Sequence, residues 1–326
     1  LVKGCEAQGW LREASGQYEP RALVFHPPGV VGPIGSAVAA GHLLGLDAGR
    51  LAHAVGIAAS RAGTLLANVG TMTKSLHCGV AAAAGLEAAL LAERGFTANV
   101  DVLETRQGLA AAFFPESFQP ELLRRAGPPF RLVAPGYALK MFPSQYGTHF
   151  AITAALALYG GIGPAGVIRR GRLVAPVMPY IDRPHPPTGL DGKFSLQYTT
   201  AAALLDGSVG IGTFTDERLS AADMQALLPR IELVMSPNIP ARFEGMHVAL
   251  EVWLEDGRHL TSRCDAPPGS WTGAPVSEAA HLDKVRNCLA VRLPSQRVEQ
   301  VIDGVARLET LTPDGVRALV ALAAAP

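Results

Sequence analysis

Residues 70–95, GTMTKSLHCGVAAAAGLEAALLAERG, pass from a knot of hydroxyls and cations into a run of alanine and leucine with few charges. The run from Leu76 to Arg94 predicts a helix closed by Gly95. Small apolar residues occupy several of its faces, so it belongs inside a helical bundle rather than on the outside of a parallel sheet. The same texture extends toward the N-terminus. Leu1 to Ala14, Gly35 to Leu44 and Ala48 to Ser60 each predict a helix, separated by short Gly, Pro and Asp breaks. The helical pattern runs to about Ala126, and Pro128 and Pro129 then mark a break.

Toward the C-terminus the pattern changes. Val167 to Val177 and Arg230 to Ser236 predict strands, and Gly245 to Arg263 predicts a hairpin turning at Asp256-Gly257. Between them, Phe194 to Leu205 and Ser220 to Leu228 predict helices, the second opened by a capping box of Ser220 and Asp223. Helical patterns return at Glu278 to Leu289, Ser295 to Arg307 and Pro313 to Ala324, the last capped by Thr312. The fold class is therefore α+β: a mainly helical bundle domain formed by both chain ends (1–133 and 271–326) around an inserted α+β domain (134–270).

The chain has 326 residues, 48% of them hydrophobic and 17% charged, which is the composition of a folded protein and not of a disordered one. Its 28 basic and 28 acidic residues balance, and no basic run supplies the footprint that a phosphate backbone requires, so nucleic acid is not an expected partner. The uncharged stretch from Ala22 to Leu46 is broken by His26, Pro27, Pro28, Pro33, His42 and several glycines, so no membrane span is expected. Cys5, Cys78, Cys264 and Cys288 lie far apart with no C-x-x-C pair, which points to a reducing, cytoplasmic setting and to no metal site. The chain opens at Leu1 inside a helical pattern and reads as a fragment or a late start.

Only five of the basic residues are lysines: Lys3, Lys74, Lys140, Lys193 and Lys284. A lysine in so Arg-biased a chain calls for a reason, and a compact ammonium whose pKa falls on burial suits proton transfer and carboxylate binding. Three of the five sit in segments that could carry chemistry. Thr71, Thr73, Lys74, Ser75 and His77 crowd the start of an apolar helix, where free backbone N–H groups favour an anion. Lys140 and His149 flank a Pro turn with Gln145 between them, at the border of the two regions, where small-molecule pockets tend to form. Lys193, Ser195 and Tyr198 offer a cation, a hydroxyl and a phenol at another helix start. A fourth segment places His26 in a loop stiffened by Pro27, Pro28 and Gly29, where imidazole can move a proton near neutral pH. Each segment also has a plainer reading as a capped helix, a solvated hinge or a loop histidine.

No G-x-S-x-G, H-E-x-x-H, phosphate loop or dinucleotide fingerprint occurs, so no cofactor or metal is expected. The residue types fit proton abstraction next to a carboxylate, followed by elimination, decarboxylation or epimerisation. His26, Lys74, Lys140 and Tyr198 are expected to converge on a pocket between the two regions, with Thr73, His77, Gln145, His149, Lys193 and Ser195 as substrate-binding candidates. The apolar helices at 35–60 and 76–94 predict a homodimer.

Taken in order, the F-H-P-x-G loop at His26, the T-K-x-L-H-x-G stretch at Lys74, the K-x-x-P stretch at Lys140 and the T-G-x-x-x-K-F-S-x-Q-Y stretch at Tyr198 resemble the MmgE/PrpD family. That family includes 2-methylcitrate dehydratase, cis-aconitate decarboxylase and iminodisuccinate epimerase. The resemblance covers essentially the whole chain. It implies a helical domain with an α+β lid, catalysis without metal on a small di- or tricarboxylic acid, and active-site positions at His26, Lys74, Lys140 and Tyr198. Two departures stand out. Cis-aconitate decarboxylases carry a second lid histidine five residues after the lysine, where this chain has Gln145, which points away from that decarboxylation. The family also has an Asp-rich, His-containing motif ahead of the stretch seen here at Gly4-Cys5-Glu6. The alternative to a lyase or isomerase is therefore a truncated, inactive paralogue serving as a binding or subunit-like protein.

Overall fold

The computed structural model describes residues 1–16, 23–163, 166–273 and 275–324. The chain forms two compact units, one of residues 1–138, 174–183 and 233–248, the other of 139–173, 184–232 and 249–326. The class is α+β, as the sequence predicts.

The first unit is built on α1 (Val2–Ala14), α2 (Pro27–Leu43), α3 (Ala48–Ala59) and α4 (Met72–Glu93), with short α5 (Leu109–Phe113) and α6 (Pro120–Leu123). Two helices start earlier than their sequence predicts. α4 begins at Met72 instead of Leu76, which places Thr73 and Lys74 inside its first turn. α2 begins at Pro27 instead of Gly35, with Pro27 and Pro28 in the first turn, where a missing N–H costs nothing. Pro33 lies inside α2 and cannot donate to the Gly29 carbonyl four residues back. That carbonyl accepts from the Gly63 N–H at 3.0 Å, so the helix continues past the proline.

α2 and α4 meet through small residues. A Cβ on Gly85 would run into the Pro33 carbonyl oxygen, the Ser36 Cβ and the Ala37 nitrogen, and one on Gly32 would stand 3.0 Å from the Ala81 Cβ. Ser36 Oγ also donates to the Ala82 carbonyl at 2.7 Å. The core beside this seam holds Leu11, Val30, Val31, Ile34, Ala54, Ala58, Ala88, Leu109 and Phe114. The opposite face of α4 carries Met72, Leu76, Val80, Leu86 and Leu90 in exposed positions. By length and composition α4 is long and apolar enough to cross a membrane. Its buried face packs against α2 and α3.

In the second unit α7 (Thr148–Ile162) is the central helix, with Phe150, Ala151, Ile152, Ala154 and Ala155 buried. The strands β1 (Ile168–Pro176), β2 (Ile231–Ser236), β3 (Val248–Leu254) and β4 (His259–Cys264) form one sheet in the order β2-β1-β3-β4, in which residues 174–176 of β1 and 233–236 of β2 are assigned to the first unit. Residues of β3 alternate between buried and half-buried, as a strand with one covered face should. β3 and β4 make the expected hairpin: Gly257, at φ +90°, turns the chain, and Leu254 N–H donates to the Arg258 carbonyl. α7 packs on β4, and Ser262 Oγ donates to the Ala154 carbonyl at 2.7 Å.

Short α8 (Gly189–Gly192), α9 (Leu196–Asp206), α10 (Asp216–Ser220) and α11 (Ala222–Leu227) fill the interval between β1 and β2. Ser220 does not cap α11. It ends α10, and its hydroxyl donates back to the Asp216 carbonyl, while Asp223 is drawn into an ion pair with Arg218. A charge-assisted pair with a guanidinium outcompetes a neutral cap. The C-terminal helices α12 (Glu278–Leu289), α13 (Ser295–Ala306) and α14 (Pro313–Ala324) follow the sequence reading closely, and Thr312 Oγ1 accepts from Gly315 N–H at the start of α14.

The α2–α4 seam is tested by adding one methyl group. Gly85→Ala should destabilise the protein by about 2 kcal/mol or more in urea unfolding, because the obstructing atoms are backbone. Gly79→Ala on the same helix, where a Cβ meets nothing within 4 Å, should be neutral or stabilise by about 0.5–1 kcal/mol.

Candidate active site

His26 is the N-cap residue of α2, and its backbone is clamped before its side chain is considered. Its N–H donates to the Thr64 carbonyl at 3.0 Å, and its own carbonyl accepts from Gly29 N–H at 2.9 Å. Phe25 and Leu65 form an antiparallel bridge beside it. Thr64 holds φ +79°, rare for a non-glycine residue, and Gly29 has no side chain because a Cβ would strike the Thr64 hydroxyl. The clamp aims the His26 ring at α4. There Nδ1 of His26 lies 3.3 Å from Nδ1 of His77, with both rings buried. Lys74 sits three residues before His77 and Thr73 four before it, so both share its side of the helix. Three of the sequence candidates thus belong to one helix start, and His26 joins them there. The Thr71 hydroxyl does not cap α4; it donates to the Asn68 carbonyl at 2.9 Å.

The other candidates lie in the second unit. Lys140 Nζ donates to the Ser144 carbonyl at 3.1 Å, and Ser144 Oγ pairs with Thr148 Oγ1 at 2.7 Å. Gln145 N–H donates to the Lys193 carbonyl at 2.9 Å, which ties the Lys140 segment to the Lys193–Tyr198 segment. His149 is fully buried, edge-on to Phe142 and next to Tyr146. Neither of its ring nitrogens makes a well-formed hydrogen bond. Burial, followed by the charge of Lys140, lowers its pKa to about 3, so the ring is neutral at physiological pH.

Lys193 holds its ammonium over the Phe214 ring at 5.5 Å. Ser195 Oγ accepts from Tyr198 N–H at 2.9 Å and so caps α9. Tyr198 is completely buried, its hydroxyl donates to the Thr213 carbonyl, and burial pushes its pKa up to about 12. Ser195 and Tyr198 therefore hold α9 in place through the same atoms that the sequence offers to a ligand. Sequence reasoning passed over Ser144, Thr148 and Thr213, which anchor these groups. Thr148 ahead of an unbroken apolar run was the available signal for α7. Among the described residues no group of three His, Cys, Asp or Glu side chains is placed to hold a metal ion.

Residues 1–121 match the MmgE/PrpD N-terminal domain and residues 142–309 match the MmgE/PrpD C-terminal domain, and the chain belongs to that family. It is 34% identical over 316 residues to cis-aconitate decarboxylase of Mus musculus, covering 94% of this chain and 64% of the relative. Its identity to the Homo sapiens cis-aconitate decarboxylase is also 34%, over 94% of this chain and 65% of the relative. The Aspergillus terreus cis-aconitate decarboxylase is 24% identical over 88% of this chain and 62% of the relative. The chain spans somewhat less than two thirds of the length of these relatives.

The buried neutral state of His149 makes stability depend on pH. Unfolded, the ring takes up a proton near its ordinary pKa of 6.5; folded, it does so only near 3. Its contribution is therefore intact above pH 6.5 and is lost progressively as the pH falls from there toward 3, by about 2 kcal/mol at pH 5. His149→Phe should flatten this part of the stability profile between pH 7 and pH 5, as followed by urea unfolding at each pH.

Proposed function

We propose that the chain carries out lyase chemistry on a small tricarboxylic acid of the cis-aconitate type, using its own acid and base groups. The observation that carries this reading is the buried His26–His77 contact beside Lys74, in a chain 34% identical over 94% of its length to proteins named cis-aconitate decarboxylase. Decarboxylation breaks a C–C bond, leaves its electron pair on carbon in conjugation with the remaining unsaturation, and ends when a proton reaches that conjugated system. Lys74 and Lys140 are suited to neutralise the carboxylates that remain, and His26 or Lys74 to deliver the proton. Thr73, His77, Gln145, His149, Lys193, Ser195 and Tyr198 are read as the groups that bind the acid or hold those that do.

Gln145 favours a second reading. A neutral amide five residues after Lys140 keeps a hydrogen-bonding group there but supplies no proton at neutral pH. Dehydration of a hydroxylated tricarboxylate, in which a base removes a proton α to a carboxylate while an acid protonates the departing hydroxyl, makes different demands on that position. Incubation with cis-aconitate and, separately, 2-methylcitrate in deuterated water, followed by NMR, separates the two. Loss of carbon dioxide with deuterium on carbon supports the first reading, and elimination of water the second. Binding without turnover would mark an inactive binding protein. Neither binding nor turnover with either acid would remove the proposal.

Lys74→Arg keeps the charge but cannot deliver a proton at neutral pH, and it should lower kcat by at least ~100-fold in a correctly folded protein. A loss confined to KM would assign Lys74 to carboxylate binding alone. The exposed row Met72, Leu76, Val80, Leu86 and Leu90 along α4 supports a homodimer in which a second copy covers apolar surface. Sedimentation at micromolar concentration should find a dimer, and a stable monomer there would reject it.

A further inference from the structure

The geometry of His77 gives it a narrower task than contact with a substrate. Its Nδ1 stands 3.3 Å from Nδ1 of His26, the rings are tilted by 48°, and both side chains are buried, His26 7% and His77 5% exposed. Two imidazole nitrogens at this separation do not tolerate two lone pairs facing each other, nor two N–H groups. One Nδ1 carries a hydrogen and the other accepts it. A neutral imidazole has only one N–H, so the two rings take opposite tautomers, and the nitrogens on their far sides differ: one Nε2 has a lone pair, the other a proton.

We propose that His77 is a positioning residue for His26, accepting a hydrogen bond from Nδ1–H of His26 and thereby placing the lone pair of His26 on Nε2. The direction of the bond rests on the reading of His26 as a proton carrier; the opposition of the two tautomers rests on the contact alone. The frame is rigid enough to impose it. The His26 backbone is clamped by Thr64 and Gly29, and His77 stands one turn before Ala81, where Gly32 brings α2 against α4. A proton taken up at Nε2 of His26 lets the Nδ1 proton pass to His77, whose Nε2 proton is then released; this relay exchanges the two tautomers without moving a heavy atom and makes the pair one acid/base unit.

The test needs no substrate and so stands apart from the lyase reading. In the full chain with 15N-labelled histidine, long-range 1H–15N spectra report which ring nitrogen is protonated, and His26→Gln and His77→Asn assign the two rings. The wild type should show His26 as the Nδ1–H tautomer and His77 as the Nε2–H tautomer. His77→Asn puts an amide oxygen near the position of the lost Nδ1 and should keep His26 as Nδ1–H. His77→Leu removes the acceptor and should return His26 to a population dominated by Nε2–H, the form imidazole prefers in water. Like tautomers in the wild type, the reverse assignment, or a His26 spectrum unmoved in His77→Leu would overturn the proposal. So would stoichiometric binding of added zinc that shifts both Nδ1 resonances, because the nitrogens would then be a ligand pair. If His77→Leu fails to fold, the wild-type and His77→Asn spectra still decide.

Discussion

The close approach of α2 and α4 is the constraint on which the first unit depends. Two helices can lie this near each other only where the residues between them are nearly bare backbone, and Gly32, Gly85 and the alanines of both helices supply that. The stabilisation comes from dispersion and from excluding water along a seam where any added carbon would collide. The seam also has a chemical product. It sets the distance between the first residue ahead of α2 and the sixth residue of α4, and those residues are His26 and His77. A site built this way inherits its precision from helix packing rather than from loop hydrogen bonds, and Lys74 is carried along on the same rigid turn.

The second unit achieves order differently. Its candidate residues are held by polar atoms satisfied one by one: Lys140 on the Ser144 carbonyl, Ser195 on the α9 N-terminus, Tyr198 on the Thr213 carbonyl. His149 is the exception, a neutral imidazole enclosed by Phe142 and Tyr146 and kept from protonation by desolvation and by its cationic neighbour. Burying such a ring without well-formed partners costs stability, a cost that the surrounding packing of α7 has to offset.

Much of this architecture was legible in the sequence because alanine-rich helices and alternating strands announce themselves. α1, α3 and the three C-terminal helices fall within a residue of their expected limits, and the β3–β4 hairpin begins three residues later than expected, at Val248. The late starts of α2 and α4 share a cause. Polar or proline-rich helix starts look like loops, so α4 was placed four residues late and α2 eight, although Pro27 and Pro28 are well suited to a first turn. α7 was not anticipated, because a run apolar on every face has no period to detect. Local company singles out His26, Lys74, Lys140 and Lys193, but not the anchoring Ser144, Thr148 and Thr213. That His26 and His77 touch, and that Tyr198 spends its hydroxyl on Thr213, are tertiary facts that no local pattern contains.

Pro33 ties three positions of the first unit into one unit of inheritance. By withholding an N–H it leaves the Gly29 carbonyl for Gly63, and the next residue, Thr64, supplies the carbonyl that holds His26. An ordinary residue at position 33 would reclaim that carbonyl for the helix and loosen the clamp from a distance of seven residues. Positions 29, 33 and 63 thus form one linked set, in which the choice of residue in mid-helix decides how a neighbouring loop is held.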